Sequence, residues 1–275
     1  MPEAVIVDAV RTPIGRAFKG SLKDVRADDL AAVPIRALIG RNAGVDWAQT
    51  GDLMMGAASG IGEQAYNVGR NAALLAGLDH HVPACTVNRF CASSLQTIRM
   101  AYHAIRAGEG DQYIAAGVEA VSRAGLGAAI PDEAKHPQLD GGEGSAYDVY
   151  IPMGLTAENV AERCGVSRQA QDEWAAISQN RAVDARDSGH FDREIVEVVT
   201  PEGSTVARDD GPRPGTTVEK LAELKPAFRE DGTVTAGNAC PLNDGAAAVL
   251  VMAEERAREL GLTPRPEGRM TAHSG

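Results

Sequence analysis

The sequence predicts an α/β fold, and three observations carry that expectation. Short apolar runs alternate with amphipathic stretches over roughly the first 118 residues, in a strand-helix-strand rhythm. After a long interruption a run of small apolar residues returns at 246–252, fit for a sheet interior. The composition is 44% hydrophobic, with 30 glycines and 14 prolines in 275 residues, which is that of a globular chain with many turns. That length accommodates two compact units, or one core with a large insertion.

Taken in order, residues 4–10 read as a first strand. Glu3 precedes the apolar run, and the run is too short for a secretory signal. A helix is expected over 28–39, where Pro34 predicts a late start or a kink, since an interior proline costs about 3 kcal/mol. A strand at 52–58, a helix at 65–75 and a strand at 84–90 follow. The stretch 93–106 places Leu95, Ile98, Tyr102 and Ile105 on one helical face, and 112–118 is another strand.

From about 124 to 233 the strand rhythm stops and two helical stretches appear, 156–163 and 169–187. Ser167 is placed to cap the second, Trp174 and Ile177 are expected on its buried face, and Gly189 marks its end. After the strand at 246–252, residues 254–260 read as a short helix before Gly261. The expected organisation is a core of 1–123 and 234–262, an inserted, largely helical segment 124–233, and a linker-like stretch 263–275.

Charge excludes some function classes. The 27 Lys and Arg against 38 Asp and Glu leave −11, which disfavours nucleic acid or an anionic membrane as partner. Only 11 aromatic residues (Phe 4, Tyr 5, Trp 2) are spread along the chain, so no base-stacking platform is expected. No run reaches the ~18 apolar residues of a membrane span. Four cysteines without a CxxC pair fit a reduced, cytoplasmic setting, and no metal-ligand set is assigned.

The cysteines differ in promise. Cys91 lies where the strand-like run Val87-Asn88-Arg89-Phe90 passes into the small residues Ala92, Ser93 and Ser94 that open a helix. Unpaired amides and the positive dipole end at such a position favour thiolate, the useful nucleophile. A buried, inert thiol is the competing reading, and Ser93 or Ser94 could serve only as caps. For Cys85, within a strand, and Cys164, at a helix end, the inert reading is favoured. Cys240 sits in a loop of turn formers that could line a ligand site.

Several motifs recur in a fixed order: 8–15, Asn67 and Arg70, Asn88-Arg89-Phe90-Cys91-Ala92-Ser93, 117–123, 153–161, 224–228, 232–239 and 243–248. Over nearly the whole chain they resemble the thiolases, which make or cleave 3-ketoacyl-CoA thioesters. The resemblance implies a thiolase-type N-terminal core half, a mixed sheet with covering helices, carrying a mostly helical loop domain before the last strand.

It also implies that Cys91 is the acyl-accepting nucleophile. Its thiolate would attack the 3-keto carbon, the C2–C3 bond would break to release acetyl-CoA, and CoA would take the acyl group from sulfur. The wording around Cys91 leans toward the degradative 3-ketoacyl-CoA thiolases of fatty-acid β-oxidation. CoA is thus a substrate, with no permanently bound cofactor. The family's CoA contacts map onto Met153, Arg213, Phe228, Ala236 and Cys240. Cys240 stands where the family commonly has serine, a poorer partner for a hydroxyl contact. By composition alone Met153 and Phe228 read more readily as core than as ligand wall, and Arg213, between Pro212 and Pro214, reads equally as a solvated loop charge. A homodimer or homotetramer is implied by family.

The family typically continues into a second core half. That half supplies an Asn-Glu-Ala-Phe motif, a Gly-His-Pro histidine that activates the nucleophile, and a second cysteine that protonates the enolate. None of these motifs occurs in the 275 residues. Of the six histidines only His190 follows a glycine, and it precedes Phe191. Little turnover is therefore expected of this polypeptide alone, with an apolar face left exposed. The alternative reading is a non-catalytic acyl-CoA-binding or assembly subunit completed by a partner chain that supplies the missing half. A related condensing enzyme is disfavoured by the long resemblance over 153–238.

Overall fold

The computed structural model describes residues 2–124 and 132–265. Residues 125–131 of the expected insertion, His273, and the expected linker from 266 onward lie outside the described residues.

The elements run β1 (Ala4–Arg11), β2 (Gly15–Arg16), α1 (Ala27–Arg41), β3 (Leu53–Gly56), α2 (Val68–Leu75), β4 (Ala84–Val87), α3 (Ser93–Ala107), β5 (Gln112–Ala120) and α4 (Val121–Ala124). Then come α5 (Met153–Cys164), α6 (Arg168–Asp187), β6 (Val198–Val199), β7 (Thr205–Val206), α7 (Val218–Ala222), β8 (Asn243–Ala253) and α8 (Glu254–Glu259). They form two compact units. The first is Met1–Leu126 with Asp192–Gly211 and Leu242–Gly275, and the second is Gly127–Phe191 with Pro212–Pro241.

The first unit is built on a mixed sheet in the order β1-β8-β5-β3-β4, with β2 paired to β8. β3 is parallel to both β4 and β5, whereas β8 is antiparallel to β1 and β5. Strand alternation divides the core between two faces. Leu53, Met55, Ile114, Leu250 and Met252 point to one face and pack with Leu30, Ile35 and Leu38 of α1 and Val68 and Ala72 of α2. Met54, Tyr113, Ala115 and Val251 point to the other and pack with Ala101, Tyr102, Ala104 and Ile105 of α3.

Several expectations are corrected here. Helix α1 does not start late: it begins at Ala27 and runs through Pro34, which is buried. Burial of Leu30, Ala31, Ile35 and Leu38 on the same helix offsets the amide hydrogen bond that proline cannot donate. In α3, Leu95 is 68% exposed, and the buried positions are Ser93, Thr97, Ala101, Tyr102, Ala104 and Ile105. The face the helix turns inward is therefore made largely of small residues, set by its close approach to the sheet. Helix α2 starts at Val68, because Tyr66 and Asn67 are held left-handed, with φ of 52° and 59°.

The expected boundaries of the insertion also shift. Residues 192–211 rejoin the sheet unit because Arg11 holds them. The Arg11 amide donates to the Glu194 carbonyl at 2.9 Å, Val196 N donates to the Arg11 carbonyl at 2.8 Å, and the guanidinium pairs with Glu194 at 2.7 Å and Asp209 at 2.7 and 3.0 Å. Val198 is buried in the sheet core. Residues 234–241 belong instead to the second unit, where Val234 N donates to Glu158 Oε1 at 2.8 Å and Asn238 Nδ2 donates to Asp172 Oδ1 at 2.9 Å.

The second unit packs α6 on α7 around a small core of Ala175, Ala176 and Leu221. Trp174, 64% exposed, and Ile177 do not face inward as expected. The buried stripe of α6 is Asp172, Ala175 and Ala176, because Asp172 is fixed by Arg168 Nε at 2.8 Å and by Asn238. Ser167 does cap α6, its Oγ accepting from Ala170 N at 3.2 Å, and Gly189 lies just beyond the helix with φ of 74°. Glu158 of α5 is 1% exposed, yet it accepts from Thr233 N and Oγ1 and from Val234 N.

Candidate active site

The turn that carries Cys91 is closed by its own hydrogen bonds. Strand β4 ends at Val87, and Asn88 then works in both directions: its Nδ2 donates to the Ala58 carbonyl at 2.8 Å and its Oδ1 accepts from Phe90 N at 2.9 Å. Phe90 has φ of 48°, which ends the strand short of the expected residue 90. Ser93 is 4% exposed, and its Oγ accepts from Arg89 N at 2.8 Å and donates to the Phe90 carbonyl at 2.6 Å. Ser93 thus locks the turn; the N-cap of α3 is Ala92, which offers no side-chain bond.

Cys91 is exposed, two residues ahead of the first residue of α3. The start of that helix lies directly on the sheet. A Cβ added at Gly56 of β3 would fall 2.6 Å from the Ser93 carbonyl carbon, and one at Gly117 of β5 would fall 1.9 Å from Ser94 Oγ. These two glycines allow the approach: a Cβ at 56 would meet helix backbone and push the helix start outward, and one at 117 would force the Ser94 side chain aside.

The support extends one layer further. Ala58, which Asn88 grips, donates its amide to Glu119 Oε2 at 2.8 Å, and Ser59 N donates to Glu119 Oε1 at 3.2 Å. Gln64 Nε2 donates to the same carboxylate at 2.8 Å while its Oε1 accepts from Ala120 N at 2.7 Å. Ser122 donates to Asp244 Oδ2 at 2.5 Å, tying the end of β5 to β8. Gly56, Gln64, Glu119 and Asp244 were not singled out as site residues from the sequence. Their signal in the sequence is weak: a strand glycine and three polar residues near buried strands, whose partners are far away in sequence.

The other thiols sort by environment. Cys85 on β4 is half-buried, and burial, followed by the neighbouring Asp52 carboxylate, pushes its thiol up to about 11. Cys164 is exposed at the end of α5, so the buried reading does not hold for it. Cys240 is exposed and its thiol donates to the Pro241 carbonyl at 3.4 Å.

The residues expected to contact CoA, Met153, Arg213, Phe228, Ala236 and Cys240, all belong to the second unit, and Cys91 belongs to the first. Met153 is 71% exposed and Phe228 is also exposed, which excludes the core reading of both. Gly154, beside Met153, lies against the Phe228 ring, where an added Cβ would come within 2.2 Å of Cδ1. Arg213 is exposed, its amide bonded to Gln179 Oε1 at 2.9 Å and its carbonyl accepting from Thr216 Oγ1 at 2.9 Å. The five histidines among the described residues are all exposed.

The profile of the family described as thiolase, N-terminal domain, matches residues 4–255. The chain belongs to the thiolase family. A β-ketoadipyl-CoA thiolase of Acinetobacter baylyi is 47% identical over 280 residues, covering 96% of this chain and 70% of the relative. A 3-ketoacyl-CoA thiolase of Escherichia coli is 44% identical, covering 100% of this chain and 71% of the relative. Among solved structures, the dimeric peroxisomal thiolase of Saccharomyces cerevisiae superposes with a TM-score of 0.88 at 34% identity, covering 96% of this chain and 67% of that one. The mixed sheet with covering helices is thus a thiolase fold, and the chain is a thiolase-family acyltransferase. No helix among the described residues is long and apolar enough to cross a membrane.

Proposed function

We propose that this thiolase-family chain takes part in thiolytic cleavage of 3-ketoacyl-CoA, giving acetyl-CoA and a shortened acyl-CoA through an acyl-enzyme on Cys91. The observation that carries this reading is the exposed Cys91 sulfur on a turn locked by Ser93 and Asn88 and set over Gly56 and Gly117. A nucleophile held on a rigid turn meets the electrophilic carbon without a further ordering cost. Thiolate attack forms the S–C bond at the 3-keto carbon. Cleavage of C2–C3 leaves its electron pair on C2, which must take up a proton. CoA thiol then displaces the acyl group and returns the sulfur.

In this reading Met153, Arg213, Phe228, Ala236 and Cys240 face CoA in the second unit. The exposed Met153 and Phe228 offer apolar contact to the pantetheine, and Arg213 offers charge to phosphate. CoA is consumed as a substrate rather than held as a cofactor. The preferred acyl group belongs to the 3-ketoacyl class, and the names of the two bacterial relatives support testing both a straight-chain and a carboxylate-ended substrate. A dimer in the cytoplasm is the proposed working form, supported by the dimeric yeast relative and the exposed free thiols.

The proton steps need an activating base and an acid for C2, and the family motifs that supply them are not in these 275 residues. Two measurements test the reading. Incubation with acetyl-CoA or acetoacetyl-CoA, followed by peptide mass spectrometry, should place an acyl group on Cys91 and none in Cys91→Ala. Thiolysis of acetoacetyl-CoA and 3-oxoadipyl-CoA by this polypeptide should be orders of magnitude below that of a two-half thiolase. Absence of acyl-Cys91 with both donors would overturn the nucleophile assignment. Restoration of turnover by a separate chain bearing the base and acid would favour the assembly-subunit reading.

A further inference from the structure

Between α2 and β4 the chain makes a short exposed turn, Asp79-His80-His81, that the acyl-transfer reading does not use. One ligand atom from each of these three residues lies within 4.8 Å of the other two. The two imidazole rings sit with centroids 4.0 Å apart, and His80 Nδ1 is 3.4 Å from Asp79 Oδ1. We infer that this turn is a binding site for a divalent transition-metal ion of the nickel or zinc class, held by two imidazoles and one carboxylate.

The turn has a fixed backbone, and its three side chains are exposed to solvent. Leu78 and Val82 are buried in the sheet core and pin the turn on either side. The Arg70 guanidinium clamps it from below, donating to the His80 carbonyl at 2.7 Å and the Val82 carbonyl at 2.5 Å. Val82 N donates to the Asp79 carbonyl at 2.9 Å and Leu78 N to the Ala73 carbonyl at 3.1 Å. Ordering three consecutive ligands is the main entropic cost of such a site, and here most of the backbone part is met before the ion arrives.

Chemistry then selects the ion. Two neutral imidazoles and a carboxylate suit nickel, zinc or copper over magnesium or calcium, which prefer all-oxygen shells. Asp79 offers a carboxylate to the site, and its Oδ1 accepts from the His81 amide at 2.8 Å, which orients the group. All three residues are exposed, so water can complete the shell.

The probe is NiCl2 titrated calorimetrically into the reduced chain at pH 7.5, with no chelating buffer. One equivalent should bind, and His80→Ala, His81→Ala and Asp79→Ala should each weaken binding about tenfold or more, while His103→Ala leaves it unchanged. The double variant His80→Ala/His81→Ala should also abolish any nickel-dependent rise in Tm. Because these side chains are exposed, the variants are expected to fold, and circular dichroism checks that they do. Absence of saturable nickel binding, or binding retained in the double variant, would overturn the inference.

Discussion

Gly56 lies under Ser93 so closely that a Cβ at position 56 would stand 2.6 Å from the Ser93 carbonyl carbon. The contact is with backbone on both sides, so neither partner can rotate away. A strand glycine thereby sets the height of the helix start above the sheet, and with it the position of Cys91.

Gly56→Ala is expected to cost about 1–3 kcal/mol by forcing the start of α3 outward. Gly117→Ala should cost less, because its near contact is Ser94 Oγ, the end of a side chain that can turn. Thermal or urea unfolding measures the difference, and acylation of Cys91 should slow more in Gly56→Ala. Equal and negligible effects would show that the helix start does not depend on these glycines.

Ser93→Ala removes the hydroxyl that bridges Arg89 N and the Phe90 carbonyl in a nearly buried position. A loss of about 1–2 kcal/mol is expected, since Arg89 N loses its acceptor and the Phe90 carbonyl keeps only the Ser93 amide as donor. The turn should also loosen, so the rate of Cys91 alkylation should change while that of Cys240 does not. Unfolding curves and site-resolved labelling by mass spectrometry check the two halves of this expectation.

Thiol reagents should distinguish the cysteines by exposure. With Cys91, Cys164 and Cys240 exposed and Cys85 half-buried with its thiol raised to about 11, three thiols should react readily with Ellman's reagent at pH 8 and one slowly. Denaturant should bring the fourth to the rate of the others. Fast labelling of Cys85 in the folded chain would contradict the environment described for it.

Glu158 gives a pH dependence with a definite sign. Burial alone would raise its carboxyl, but donors from Thr233 and Val234 and the nearby Arg229 outweigh that and hold it below its ordinary value. Its contribution is therefore fully present above the unfolded value near ~4.3 and fades as pH falls through the lower folded value. Glu158→Gln should destabilise by about 1.5–3 kcal/mol at neutral pH. The gap from the parent should narrow below roughly pH 4, as urea melts at several pH values would show. A gap independent of pH would mean that the charge on Glu158 is not what holds the 233–234 segment.

Much of the local structure was legible in the sequence. The strands at Ala4–Arg11 and Gln112–Ala120, the helices opening at Ser93 and Arg168, and the cap at Ser167 follow from alternation, small residues and a single hydroxyl. The ordered motifs likewise pointed to the thiolase family, whose profile matches residues 4–255. Periodicity failed on two helices. Leu95, Trp174 and Ile177 hold apolar positions, yet α3 and α6 turn small residues inward.

Tertiary structure alone decided the long-range pairings. Arg11 draws residues 194–209 back to the sheet across more than 180 positions, and Glu158 draws 233–234 into the second unit, so neither boundary could be read from local texture. The same holds around the turn of Cys91, where Gly56 of β3 and Gly117 and Glu119 of β5 support it from two separate strands. Sequence specifies which groups the chain carries and how each short segment prefers to fold. Which buried charge meets which amide, and how close a helix can approach a sheet, depend on chain packing in three dimensions, where a missing Cβ or an unmatched donor is felt.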